Sequence, residues 1–199
     1  MATKKKAAKS AKAAPKKKVA STKNTASSAS QPSSFGAYSP KSMLLDAFAK
    51  EHATTVKVVR ALPPSQSEFR PHPRSQSARE LVFTFVLEQQ LISLALRDQL
   101  KLGGVWPKAG DDYGMIVDQF ESDFNSLVEL ITRLPESAFQ GTVHFPTGPG
   151  KVEPWPKLEF MYFILRDQIH HRGQFSVYVR MAGGKVPSIY GPSGDEPWF

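Results

Sequence analysis

The chain has 199 residues, 40% of them hydrophobic, which is enough for one domain with a buried core. It has no cysteine, which excludes disulfides, thiolate metal ligands and a cysteine nucleophile and is typical of a cytoplasmic protein. The sequence holds no run of about 18 apolar residues, and its basic N-terminus lacks a following apolar stretch, so we expect neither a membrane span nor a secretory signal.

The net charge of +8 belongs to the first part of the chain. Residues 1–34 hold nine lysines and no acid, which leaves the remaining residues at a net charge of −1. This segment has almost no large apolar side chain to bury, so we predict a disordered tail over residues 1–38 and a folded domain over residues 39–199. The nine lysines are Lys4, Lys5, Lys6, Lys9, Lys12, Lys16, Lys17, Lys18 and Lys23.

Two interpretations of this tail stay open. Lysines that neutralise phosphates release counterions, so the tail would bind nucleic acid without sequence preference and in a salt-sensitive way, which would place the protein at the nucleoid. Lysine runs are also common in solubilising tails that have no partner, and this tail has no interleaved aromatic residues for base stacking.

After the tail, apolar residues begin to recur at helical spacing. A first helix is predicted after the sequence SPKS, and it ends before Pro63. A second helix begins near Ser75 or Ser77 with Glu80 in its first turn, which is the pattern of a capping box. It is expected to continue to about Leu102, where two glycines follow and stop it.

The second half of the chain predicts two more helices. One follows the sequence GDD and ends at Pro135. A Gly- and Pro-rich loop comes next, with a short extended piece over residues 142–145. The last helix runs from about Pro156 to Ala182. Four helices of about 20 residues with modest connections predict an all-α fold, an up-and-down four-helix bundle.

Three of the predicted helices carry a polar pair, one turn apart, on an otherwise apolar stripe. A bundle turns such stripes toward its core, where an ionised carboxylate is costly unless it is paired or bound to a cation. Metal sites in helix bundles are built from carboxylates and histidines on facing helices. The pairs are Glu51 and Thr55 in the first helix, Thr84 and Glu88 in the second, and Asp167 and His171 in the fourth.

A metal-free interpretation accounts for the same residues. Asp167 and His171 can support their own helix as an ordinary pair one turn apart. Glu88 can then bind Arg172 or Arg166 and close a buried ion pair that holds the bundle together. Spacing alone favours this second interpretation.

Two longer stretches resemble a known family. The sequence IHHRGQFSVYVRMAGGKVPSIYGPSGDE is similar to the final helix and C-terminal segment of DinB-like (YfiT-like) proteins. The sequence FRPHPRSQSARELVFTFVLEQ resembles the entry into the second helix of that family. The resemblance covers residues 39–199 and leaves out the basic tail. It implies a four-helix bundle in which three histidines hold a metal ion, one on the second helix and two spaced H-x-x-x-H on the fourth.

Carried over residue by residue, the family pattern keeps only one of its three histidines. His171 matches the second of the spaced pair, while the first falls on Asp167 and the histidine of the second helix falls on Thr84. Aspartate is a plausible replacement ligand and threonine is a poor one. We therefore expect Asp167, His171 and Glu88 to hold the metal, with Thr84 beside them.

The resemblance also implies a function. Members of the family include metal-dependent thiol transferases and hydrolases, so we expect a divalent ion (Zn, Ni, Mn or Fe) and a small-molecule substrate. Glu51 and His170 would support the site from outside, and Arg172 would either orient an anionic substrate or bind Glu88. The alternative is a non-catalytic bundle with a degraded metal site, carried to DNA by its tail. The sequence leaves the substrate and a homodimer open.

Overall fold

The computed structural model describes residues 39–101, 103 and 105–199. The predicted disordered tail with its nine lysines, the residue Leu102 at the predicted helix end and the second glycine after it lie outside the described residues. Within the described part of the chain, no helix combines the length and the apolarity that crossing a membrane requires.

Four long helices form the body of the protein, and the predicted four-helix bundle is confirmed. They are α1 (Pro40–Arg60), α2 (Ala78–Leu96), α3 (Tyr113–Arg133) and α4 (Lys157–Met181). Preceding side chains cap the start of three of these helices. Ser39 accepts from the Ser42 amide at 3.1 Å, Ser77 forms the expected capping box with Glu80, and Asp112 accepts from the Met115 amide at 3.0 Å. Short 3₁₀ turns follow α1 and α3, at Pro64–Gln66 and Glu136–Phe139.

The end of α2 differs from the prediction. The helix stops at Leu96, six residues before Leu102, because Asp98 adopts a positive φ of 57° that an α-helix does not contain. The Asp98 carboxylate pairs with the buried ammonium of Lys157, at the start of α4, at 2.7 Å. A partner that is distant in sequence therefore ends the helix before its glycines are reached.

Much of the predicted loop before α4 is a β-hairpin. Strands β1 (Thr142–Gly148) and β2 (Lys151–Pro156) pair antiparallel, with Thr142 opposite Pro156. The expected extended piece over residues 142–145 is the first half of β1. Phe145 of β1 packs against Phe160 of α4, with ring centroids 4.9 Å apart, so the hairpin lies against the side of the bundle.

The helices do not simply alternate in direction. Lys41 at the start of α1 donates to the carbonyl oxygen of Leu134, just after α3, at 2.6 Å, so these two helices are antiparallel. Gly184 after α4 lies so close to the carbonyl oxygen of Ala61 after α1 that a Cβ would not fit, so α1 and α4 run the same way. The apolar cluster at that end also contains the first turns of α2 and α3. Those two helices are therefore parallel, and the end of α2 and the start of α3 lie at opposite ends of the bundle.

Two apolar clusters fill the ends of the bundle, and polar side chains lie between them. Each cluster takes residues from all four helices, and neither includes the middle of α1, α2 or α4. We call the inward-facing polar residues at this height the polar layer. Its members are Glu51, His52 and Thr55 of α1, Glu88 and Gln89 of α2, and Asp167, Gln168, His171 and Arg172 of α4.

Candidate metal centre

Three side chains of the polar layer meet at one point between α2 and α4. His171 Nδ1 and Glu88 Oε1 lie 3.1 Å apart and share a hydrogen bond, and His171 Nε2 lies 4.0 Å from Asp167 Oδ1. One ligand atom from each of the three residues falls within 4.8 Å of the others. The structure thus brings together the three residues expected to hold the metal. Helical spacing brings Asp167 and His171 together, and the packing of α4 against α2 brings Glu88 to them.

The three residues differ in depth. Glu88 is 4% exposed, whereas the side chains of His171 and Asp167 are 18% and 36% exposed. Glu88 Oε2 is buried and has no hydrogen-bond partner among the described residues. A buried carboxylate oxygen without a donor costs free energy unless a cation or a proton satisfies it. Two carboxylates and an imidazole, with one orphaned oxygen among them, fit a divalent ion.

The pKa values of Glu88 and His171 are both raised above their ordinary values. Burial raises the pKa of the Glu88 carboxyl to about 7. The hydrogen bond that the imidazole donates to the Glu88 carboxylate raises the pKa of His171 above its ordinary value, against the opposing effect of burial. Both shifts have the same consequence, because each group holds its proton to a higher pH than usual. A cation that binds here must displace that proton.

Thr84 and His170 lie near the three residues and make other contacts. The Thr84 hydroxyl donates to the carbonyl oxygen of Glu80 in its own helix at 3.3 Å, which leaves it a weak ligand. It faces the same cavity as Glu88 and Asp167. His170 is exposed, and its Nε2 lies 2.8 Å from the amide nitrogen of Gln174.

Arg172 pairs with Glu51 and not with Glu88. Its guanidinium is 1% exposed and donates to Glu51 Oε2 at 2.7 Å. It also donates to the hydroxyl of Tyr190, and that hydroxyl donates to the same Glu51 carboxylate. Because Arg166 is exposed and makes no ion pair within the described residues, the partner of Glu88 is His171 and not an arginine. Arg172 thus joins α4, α1 and the C-terminal segment.

Sequence spacing missed two residues of this network. His52 of α1 stacks on Phe124, with ring centroids 3.8 Å apart, and its Nδ1 lies 3.3 Å from the side-chain nitrogen of Gln89. Burial lowers the pKa of His52 to about 4, so it is neutral at physiological pH. His52 lies four residues after Phe48 and three before Thr55, so helical spacing could have found it. Tyr190 lies in an irregular segment where no periodicity applies.

A cavity of about 260 Å³ opens beside the three residues. Its polar end is formed by Thr84, Glu88 and Asp167. The cavity combines residues of α2, α4, the hairpin and the connection between α2 and α3, and the hairpin's part was not predicted. Its apolar walls are Leu87, Leu91, Trp106, Phe145, Phe163 and Ile164.

Comparison with known proteins bears on the fold and the family. The model of the family described as the DinB superfamily matches residues 47–175. The uncharacterized protein YrdA of Bacillus subtilis (strain 168) is 32% identical over 82 residues, which are 41% of this chain and 46% of YrdA. The chain thus spans less than half the length of this curated relative.

Two solved structures have the same fold. A DinB-like protein from Bacillus cereus ATCC 10987 superposes with a TM-score of 0.61 at 22% identity, over 74% of this chain and 95% of that protein. The DinB-like protein YjoA from Bacillus subtilis gives a TM-score of 0.59 at 16% identity, over 74% and 96%. At these identities the likeness concerns the fold alone.

Proposed function

This chain belongs to the DinB superfamily, and we propose that it binds a divalent metal ion through Glu88, Asp167 and His171. The observation that carries the proposal is the buried Oε2 of Glu88, which has no hydrogen-bond partner in the described part of the chain and belongs to a group whose ligand atoms lie within 4.8 Å of one another. The two carboxylates offset the charge of a divalent ion, and so the ion relieves their mutual repulsion at this depth.

The donor set favours a hard or borderline ion. The proposed ligand atoms are two carboxylate oxygens and one imidazole nitrogen, whereas the family resemblance implies three imidazole nitrogens. The proposed set is therefore richer in oxygen. Among Zn, Ni, Mn and Fe, this composition suits Mn²⁺ and Fe²⁺ best, since carboxylates are the preferred ligands of harder ions. Thr84 stands where the family resemblance implies a histidine, and its hydroxyl donates a hydrogen bond to a carbonyl oxygen of its own helix.

The proposed reaction class is metal-dependent thiol transfer or hydrolysis. A divalent ion with free coordination positions would supply Lewis-acid chemistry to a water or a thiol. The protein's own part is to give up the proton held by Glu88 and His171 when the ion binds, and to surround the substrate with the apolar walls of the cavity. Arg172 is engaged by Glu51 and Tyr190, so its role is to fix α4 rather than to bind substrate.

A second function follows from different observations. The Glu88–His171 contact is already a satisfied pair without any ion, and threonine replaces one of the family's histidines. The nine lysines of the tail suit DNA phosphates. In this alternative the bundle is non-catalytic, and the tail carries it to DNA.

Elemental analysis of the purified, tag-free, full-length protein separates the two functions. We expect about one ion per chain after dialysis against Mn²⁺ or Fe²⁺, since the described residues form one three-ligand group. Glu88→Gln and His171→Gln should lose most of it. Glu129→Gln is the matched control, because Glu129 is an exposed α3 carboxylate whose partner is Arg133. A parent protein that retains no more metal than Glu88→Gln would contradict the proposed function.

A further inference from the structure

The cavity beside the three proposed ligands is mainly apolar and partly aromatic. Phe145 and Phe163 on its wall lie with ring centroids 6.1 Å apart, and Trp155 supports Phe163 from behind at 5.0 Å, edge to face. Such ring clusters hold their faces and edges in fixed positions, which lets them receive another ring by stacking or edge contact. The hairpin therefore supplies a preformed aromatic wall.

Trp106 gives the cavity a second aromatic side. It lies in the connection between α2 and α3, and 53% of it is exposed, although it borders the cavity. Trp106, Leu87 and Leu91 also line a neighbouring cavity of about 210 Å³, which contains Lys101 and Gln90 as well. A ligand placed against Trp106 would remove apolar surface from water on both partners, which stabilises the complex.

The charge of the lining restricts the ligand further. Among the described residues that line this cavity, none is a lysine or an arginine, and the charged ones are Glu88 and Asp167. Both carboxylates are offset by the proposed ion. An anionic ligand would then lie without a counter-charge, and a cationic one would repel the ion. An uncharged ligand avoids both costs.

We propose that the cavity binds an uncharged, ring-bearing small molecule whose oxygen, nitrogen or sulfur atom faces Glu88, Asp167 and His171. The inference rests on the proposed function, because the ion at those residues is what the donor atom would meet. It names the substrate class of that same site: aromatic and neutral, in contrast to phosphorylated or carboxylated metabolites. The aromatic walls favour a ring, and anions are disfavoured because no lysine or arginine is among the described residues that line the cavity.

The probe for this site is N-phenylnaphthylamine, an uncharged ring compound whose fluorescence rises in apolar surroundings. Anilinonaphthalene sulfonate is its anionic counterpart. We expect the full-length protein to bind the uncharged probe saturably, at about one per chain, and the sulfonate at least about tenfold more weakly, a difference of ~1.4 kcal/mol. Both titrations are made in chelator and in Mn²⁺.

Substitutions in the lining of the cavity test whether the probe binds there. Leu87→Trp fills it from α2 at a half-buried position, and we expect the dissociation constant of the uncharged probe to rise at least about tenfold. Met43→Trp is the matched control, since Met43 is 53% exposed on α1 and lines neither cavity. Trp106→Ala is the second test, in an exposed connection where it does not disturb the helices, and it should weaken binding severalfold. Far-UV circular dichroism checks that each variant is folded.

The possible outcomes test the proposed ligand of the cavity separately from the proposed metal binding. Equal affinity for the two probes, or unchanged binding in both Leu87→Trp and Trp106→Ala, would overturn the inference. A protein that holds metal yet ignores the uncharged probe would overturn it while leaving the proposed function in place. A protein that binds the probe in chelator with the expected effects of substitution supports the cavity, even if elemental analysis contradicts the metal.

Discussion

Glu51→Gln tests whether the buried arginine of the polar layer is structural. Arg172 is 1% exposed, and its nearest carboxylate oxygen, Oε2 of Glu51, lies 2.7 Å away. The substitution preserves the shape of the side chain and one oxygen acceptor but removes the negative charge. The guanidinium is then buried without its counter-charge, and the bond from the Tyr190 hydroxyl to Glu51 is weakened as well.

The expected cost follows from the burial of this pair. Removing one partner of a buried ion pair costs about 3–5 kcal/mol. The Glu51 side chain is 16% exposed, and Arg172 keeps contacts with the Glu51 carbonyl oxygen at 3.2 Å and the Thr55 hydroxyl at 3.4 Å. We therefore expect the lower end, about 3 kcal/mol. For a chain of this size, that loss lowers the melting temperature by roughly 6–12 °C.

Urea unfolding followed by far-UV circular dichroism measures this free energy, with chelator present so that metal plays no part. The matched control is Glu129→Gln, whose pair with Arg133 is exposed on both sides, at 66% and 78%, and should change stability by less than about 0.5 kcal/mol. Combining Glu51→Gln with Arg172→Met completes a double-mutant cycle, and we expect a coupling of at least about 1 kcal/mol. A loss below about 1 kcal/mol in Glu51→Gln would refute the structural role.

Three further predictions concern protons and the tail. Because burial lowers the pKa of His52 from its ordinary value of 6.5 to about 4, the unfolded chain takes up a proton first as pH falls. The stability that depends on neutral His52 is therefore present above pH 6.5 and is lost toward pH 4. In His52→Gln, the urea concentration at the unfolding midpoint should change less with pH across this window. An equal pH dependence in the parent and the variant would count against this role of His52. Since Glu88 and His171 both hold protons more tightly than usual, metal affinity should rise with pH through neutrality and binding should release protons. Titration calorimetry in buffers of different ionisation enthalpy detects that release, and a pH-independent affinity would speak against it. Deleting residues 1–34 should abolish binding to duplex DNA, which in the full chain should weaken steeply with salt in electrophoretic shift assays; equal binding by the truncated protein would exclude the tail.

Local sequence signals predicted most of the helix starts and ends. The capping box of Ser77 and Glu80 predicts the start of α2, and Pro63 marks the end of α1 to within a few residues. Both signals work because the residues that satisfy a helix end are its close neighbours in sequence. The predicted end of α2 is wrong because the residue that holds the turn at Asp98 is distant in sequence: it is Lys157, at the start of α4.

Periodicity predicted part of the polar layer but not which of its residues contact one another. The one-turn spacing of Asp167 and His171 places both on one face of α4, and the structure brings Glu88 of α2 to them. Whether Arg172 meets Glu88 or Glu51 depends on which helices are neighbours and on the direction in which each runs. That order is set by the packing of all four helices and by the long connection between α2 and α3, neither of which has a periodic signature.

The hairpin shows the same limit. Its strands contain prolines and glycines that are typical of loops, and its pairing joins Val143 to Trp155 across the turn. Its stability comes from aromatic contacts with α4, such as that of Trp155 with Phe163 at 5.0 Å. Because these contacts exist only in the folded bundle, no window of sequence indicates that the hairpin walls a cavity.

The effect of metal on the melting temperature of the parent and of Asp167→Asn tests the central claim most directly. Asp167 is the most exposed of the three proposed ligands, at 36%, so its loss costs little folding stability of its own and isolates the contribution of the ion. At a metal concentration about 100 times the dissociation constant, binding should stabilise the parent by ~2.7 kcal/mol, which is roughly 5–11 °C. The account predicts this rise in the parent and hardly any in Asp167→Asn. A parent that melts at the same temperature in chelator and in excess zinc, manganese, nickel or iron would contradict it.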